Sequence, residues 1–198
     1  MIGGAEHVLL HPGREAVALA LAREGVRVAL VGRTAAKLVR VATYVKDIGK
    51  AIHLGQHLKG LGYEVAVNIM AISHALEPDL DLALEQLAGT DFDMVYLVDS
   101  FGYLYSEQVH YFAEKYLTRL PGKAVGIHCH NNQQLAFGNT VEGLIKGINY
   151  VDATIYGIGR AAGNCPLELL VGFLRNPRYD IRPVLDLIER YFVRLIQE

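Results

Sequence analysis

Met94-Val-Tyr-Leu-Val-Asp99, the amphipathic stretch 106–117, and Ala124-Val-Gly-Ile-His128 form one strand–helix–strand unit that decides the fold. Both apolar runs are rich in Val, Leu and Ile and almost unbroken by polar residues, as strands are when both faces are buried in a parallel sheet. The pattern repeats on either side. Further strands are predicted over residues 6–11, 26–31, 38–45, 64–71 and 150–155. Helices are predicted over residues 14–23, 47–61, 79–87, 106–117 and 133–148, with two more over 166–174 and 183–197. From residue 38 onward the strand starts fall roughly 25 to 31 residues apart, the length of one βα unit. The fold class is α/β, a single domain over residues 1–198 with a mainly parallel sheet of six or seven βα units. Two arrangements fit: an incomplete, open TIM-barrel-like sheet, or a doubly wound Rossmann-like sheet.

Composition narrows the function. The 198 residues are 52% hydrophobic and 20% charged, which excludes a mainly disordered chain. The net charge of -2 implies no broad basic face, so nucleic acid is not an expected partner. The longest apolar runs, about ten residues, are too short to cross a bilayer, and residues 1–6 lack the basic start of a secretory signal. Two cysteines, Cys129 and Cys165, are too few for a disulfide scaffold. The expected compartment is the reducing cytoplasm.

The chemistry gathers late in the chain. In Gly126-Ile-His128-Cys129-His130-Asn131-Asn132, the two histidines are two residues apart at a strand end and point to the same side. Two imidazoles so placed chelate a divalent cation, and parallel α/β folds put their sites at the C-terminal ends of strands. Cys129 points the other way and reads as a packed core thiol. After the next strand comes Gly157-Ile-Gly159-Arg160-Ala-Ala-Gly163-Asn164, whose glycines let the backbone turn sharply close to a ligand. Asn164 or Cys165 then caps a helix opened by Pro166. Asp99 ends its strand and is a further candidate, as a substitute ligand or as a partner of a histidine. Asn68, late in its strand, is placed at the same mouth, with Tyr103 and Tyr105 on its rim. His53, His57 and His110 read as surface or helix-packing residues, and His74 as a solvated loop residue.

Three motifs carry a family resemblance: Leu97-Val-Asp-Ser-Phe-Gly102; His128-Cys-His-Asn-Asn132 with Leu135-Ala136; and Val151-Asp152 followed by Gly157 to Asn164. In this order and spacing the chain resembles the metal-dependent aldolases and lyases that include 4-hydroxy-2-oxovalerate aldolase and hydroxymethylglutaryl-CoA lyase. The resemblance runs from about Val39 to the C-terminus. It implies a (β/α)8 barrel of which residues 39–198 supply the fourth to eighth strands. It implies a divalent metal (manganese, magnesium or zinc) held by His128, His130 and, as in some members, Asn164. It also implies a small 2-oxo acid substrate, with aldol cleavage through a metal-stabilised enolate.

The early part departs from that pattern. The family's first strand carries an aspartate ligand and an arginine, whereas the first aspartate here is Asp47. Residues 13–38 instead resemble the first βαβ unit of short-chain dehydrogenases, with Arg33 where those meet an adenosine. The phosphate-binding glycine turn of that family is absent, so NAD(P) is not an expected cofactor. The chain thus reads as a mosaic, a Rossmann-like start over residues 1–38 joined to aldolase units. Two functions follow: a metal-dependent carbon–carbon lyase, or a non-catalytic engineered or truncated chimera that keeps a partial metal site, with catalysis lost rather than kept. An open sheet would leave parallel edges exposed, so a homodimer is expected in that case. Residues 34–45 read either as one helix capped by Thr34 or as a turn followed by a strand.

Overall fold

A computed structural model describes residues 27–31, 38–174 and 180–193. The strand predicted over 6–11, the helix over 14–23, Arg33 and the end of the last predicted helix lie outside the described residues. Among the described residues the sheet has six strands in sequential order: β1 (Arg27–Val31), β2 (Leu38–Tyr44), β3 (Glu64–Met70), β4 (Met94–Asp99), β5 (Ala124–Cys129) and β6 (Tyr150–Val151). Pairs from β2 to β6 are parallel. A doubly wound sheet reverses its strand order at a switch point. No reversal occurs among the described strands, so the barrel-like alternative is the one adopted, as an open sheet.

The start of the sheet settles one alternative and departs from the parallel order. Residues 38–44 are a strand, not part of a helix from Thr34, and β1 runs antiparallel to β2, with Val31 opposite Leu38 and Arg27 opposite Ala42. Only residues 32–37 link the two strands. A crossover to a parallel neighbour needs a dozen or more residues, so so short a link pairs its strands antiparallel. The last strand is also shorter than expected, two residues in place of six.

Helices α1 (Ile48–Gly60), α2 (Glu77–Ala88), α3 (Ser106–Arg119), α4 (Ala136–Ile145) and α5 (Leu167–Leu174) follow β2 to β6 in turn. A short α6 (Arg182–Leu187) comes last. The helices bury stripes at helical spacing, such as Ile48, Ala51, Leu54 and Leu58 on α1 and Leu80, Ala83, Leu84 and Leu87 on α2. These stripes pack on alternate strand residues, among them Val39, Val41, Val65, Val67, Ile69, Val95, Leu97, Val125 and Ile127, in one continuous core. Gly55 of α1 lies against the Phe92 ring so closely that a Cβ there would sit 2.3 Å from it.

The residues between them point to the other face and form a separate small cluster of Ala66, Met94, Tyr96 and Val98, flanked by Leu38 and Ala124. The helices therefore cover one face only, as around a barrel. The opposite face carries Arg40, Asn68 and His128. Among the described residues no helix is long and apolar enough to cross a membrane.

Candidate metal centre

The bare face mixes small and large side chains. Register places Ala42, Asn68, Tyr96, Gly126 and Tyr150 in one row across the strands, with Arg40, Ala66, Met94 and Ala124 in the row below. The Tyr96 ring lies flat against Gly126, where a Cβ would stand 2.3 Å from it. Burial pushes the Tyr96 phenol up to about 12. The Arg40 guanidinium stacks over the same ring, 3.9 Å from its centroid.

The next row holds His128, beside Val98 of β4. His128 and His130 sit on the same side at the end of β5, as their spacing predicts, with ring centroids 5.1 Å apart and edge to face. Each ring is held through Nδ1. His128 Nδ1 donates to Asp152 Oδ2 at 2.9 Å, and His130 Nδ1 donates to the Gly163 carbonyl at 3.2 Å. A carboxylate and a carbonyl only accept, so each neutral ring carries its proton on Nδ1 and keeps a lone pair on Nε2. That is the tautomer a metal ligand needs. Burial and the neighbouring His128 lower the His130 pKa, which favours the neutral ring.

Asn164 lies beside His130, joined to it by an isolated β-bridge. The glycine loop 157–163 folds back over it, with Gly157 (φ +62°) and Gly163 (φ +90°) in left-handed backbone. A Cβ on Gly163 would lie 2.1 Å from the Gly157 carbonyl, and one on Gly159 would lie 2.3 Å from the Asn164 amide. The Asn131 N–H donates to the Gly163 carbonyl at 2.9 Å, and Asn164 bridges to His130. The Asn164 amide N–H donates to the Ile158 carbonyl at 3.0 Å, while its Oδ1 is buried with no partner among the described residues. A buried, unpartnered carbonyl oxygen is costly unless something occupies it. Imidazole nitrogens and an amide oxygen are donor types that divalent cations take. Among the described residues, no group of three or more His, Cys, Asp or Glu side chains is placed to hold a metal ion.

Other predicted residues fall differently. Asp99 does not face His128: its register partner is Cys129, on the helix side. It is fully buried and accepts the Tyr103 and Leu104 backbone N–H groups at 3.1 Å each, fixing the loop after β4. Burial raises its pKa in spite of those bonds. Strand alternation in Met94 to Asp99 already carried this answer, since Tyr96 and Val98 share the mouth side and Asp99 cannot. Cys129 is a packed thiol, pushed up by burial. Asn68 is on the mouth face as expected, and its buried Oδ1 also lacks a partner. His74 is exposed but stacked on Phe101 at 4.5 Å. Tyr103 and Tyr105 are exposed, as rim residues would be.

Arg40 is the residue the sequence reading missed. It makes two hydrogen bonds to Asp152, Nη1 to Oδ1 at 3.1 Å and Nη2 to Oδ2 at 2.8 Å. Burial raises the Asp152 pKa, but the His128 hydrogen bond and the Arg40 charge outweigh it and hold the carboxyl below its usual range. The signal lay in Leu38-Val-Arg40-Val-Ala, where a charge interrupts an otherwise apolar strand.

A family model described as HMGL-like matches residues 15–191. The chain belongs to this family. The match starts at residue 15, inside the segment that resembles a dehydrogenase, and it supports neither a chimera nor a dehydrogenase origin. The 4-hydroxy-2-oxovalerate aldolase of Thermus thermophilus is 38% identical over 160 residues, 77% of this chain and 45% of that protein. The oxaloacetate decarboxylase of Mycobacterium tuberculosis is 32% identical over 142 residues, 70% of this chain and 41% of that protein. The chain thus spans about half the length of the curated relatives it matches. The crystal structure of hydroxymethylglutaryl-CoA lyase from Pseudomonas aeruginosa shares the fold, with a TM-score of 0.69 at 16% identity over 89% of this chain and 66% of that one.

Proposed function

We propose that this chain carries the metal-binding half of a barrel lyase that cleaves a carbon–carbon bond in a small 2-oxo acid. His128 and His130 would hold a divalent cation through Nε2, and Asn164 through Oδ1. The observation that supports this most is the state of those atoms: both Nδ1 groups are committed elsewhere, and the Asn164 oxygen is buried and unpartnered. When bound, such a metal supplies Lewis-acid stabilisation of the enolate left by bond cleavage. The chain's own residues do the rest. Asp152 and the Gly163 carbonyl hold the imidazoles in register. The Ile158 carbonyl fixes the Asn164 amide so that its oxygen faces away from the loop backbone. Asn68, one row below His128, offers an unpartnered carbonyl oxygen to a substrate hydroxyl.

The test is pyruvate release from a 4-hydroxy-2-oxo acid, with manganese and after chelation. Release that needs the metal and disappears in His130→Ala supports the proposal. Manganese binding at these residues without release would overturn the lyase reading and leave a metal-binding fold.

A further inference from the structure

We propose that Arg40 is a positioning residue of the metal centre. Acting through Asp152, it fixes the His128 ring with its proton on Nδ1 and its Nε2 lone pair open. This rests on the reading of His128 as a ligand.

The geometry is a relay across the bare face of the sheet. Arg40 starts on β2, in the row of Ala66, Met94 and Ala124. Its side chain passes over Tyr96 and ends on Asp152, 112 residues away in sequence, just after β6. The small residues Ala42, Ala66 and Gly126 leave room for that path. Both carboxylate oxygens are engaged by the guanidinium fork, and Oδ2 also takes the His128 Nδ1–H. A carboxylate held at one oxygen can rotate about its Cβ–Cγ bond. One held at both by a planar fork cannot, and so it presents Oδ2 to His128 in a fixed direction. Tyr96 keeps the guanidinium plane from tipping. Arg40 and Asp152 expose only 17% and 20% of their side chains, so water competes little for these bonds. Lysine has charge but no fork, and would hold Asp152 at a single point.

A plain strut between β2 and β6 would share this geometry, so the test must read the ring itself. The full chain, free of metal and near pH 8, is compared with Arg40→Lys, Arg40→Met and Asp152→Asn by 15N–1H correlation spectra of the imidazole nitrogens. Expected in the wild type is a His128 protonated on Nδ1 alone. Expected in each folded variant is a mixture of His128 tautomers, while His130, tied to the Gly163 carbonyl, keeps its own. Manganese affinity by calorimetry should fall about ten- to a hundred-fold in the same variants. If Arg40→Met does not fold, Arg40→Lys carries the test. Folded variants that keep the wild-type His128 tautomer and affinity would reduce Arg40 to a strut and overturn the inference. So would a wild-type His128 protonated on Nε2. Failure of the ligand reading looks different: a His128→Ala, His130→Ala double variant would bind manganese like the wild type, while the tautomer shift in the Arg40 variants persisted.

Discussion

The two faces of this sheet are made by the same strands and hold opposite contents. On the helix side, Val41, Val67, Leu97 and Ile127 are wholly buried against the helices in one apolar core. On the other side, a thin apolar floor of Ala66, Met94, Tyr96 and Val98 lies beneath Arg40, Asn68, His128 and Asp152. One residue's shift along a strand moves a side chain from one role to the other, as Asp99 beside Val98 shows. The lesson is a division of labour: stability resides on the covered face, and the open face can spend buried polar groups on chemistry.

The sharpest way to break that comparison is Leu97→Ala. It removes a wholly buried side chain from the covered face and should cost about 2–5 kcal/mol in urea unfolding. A loss under about 1 kcal/mol would show that the core is not where the stability lies. Next comes Gly126→Ala on the open face. The new methyl would collide with Tyr96, so we expect a loss of about 1–3 kcal/mol, with displacement of the ring from Arg40 visible in near-ultraviolet circular dichroism. A smaller effect is expected from His130→Ala, which removes one hydrogen bond and should cost only about 0.5–1.5 kcal/mol of stability while abolishing manganese binding. If stability and binding fell together through unfolding, the faces would not be separable.

The smallest expected effect lies at the far end of the sheet. Asp93 accepts the Val65 N–H at 2.7 Å and pairs with Lys59 at 3.0 Å. Burial raises its pKa, but these partners win and hold it below the usual carboxylate value. A carboxyl depressed in the folded state stabilises fully above its unfolded value of about 4, and loses that contribution as pH falls through the folded value. The wild type should therefore lose more stability than Asp93→Asn between about pH 5 and 2. Parallel urea midpoints over that range check it; identical slopes would contradict it.

Much of this was legible in the residues. The runs at 64–71, 94–99 and 124–128 sit in the sheet because continuous β-branched and aliphatic residues satisfy two buried faces at once. That His128 and His130 share one side followed from strand alternation, and the structure has their rings 5.1 Å apart. Three things were not legible. That β1 pairs with β2 at all is a choice of partner that local pattern does not encode, although the short link over 32–37 makes the pairing antiparallel once it is chosen. The β6 run is two residues long, and Asp152 just after it bonds His128 and Arg40, a tertiary contact that local pattern does not encode. The Arg40 relay joins residues 112 apart, and a single charge in a strand names no partner by itself.

The central claim is that the open face assembles a metal site from His128, His130 and Asn164. Manganese titration by calorimetry, on the wild type and on the His128→Ala, His130→Ala double variant, tests it most directly. The account predicts one-to-one binding in the wild type and none in the folded double variant. Binding that is the same in both, or absent from a folded wild type, would contradict it.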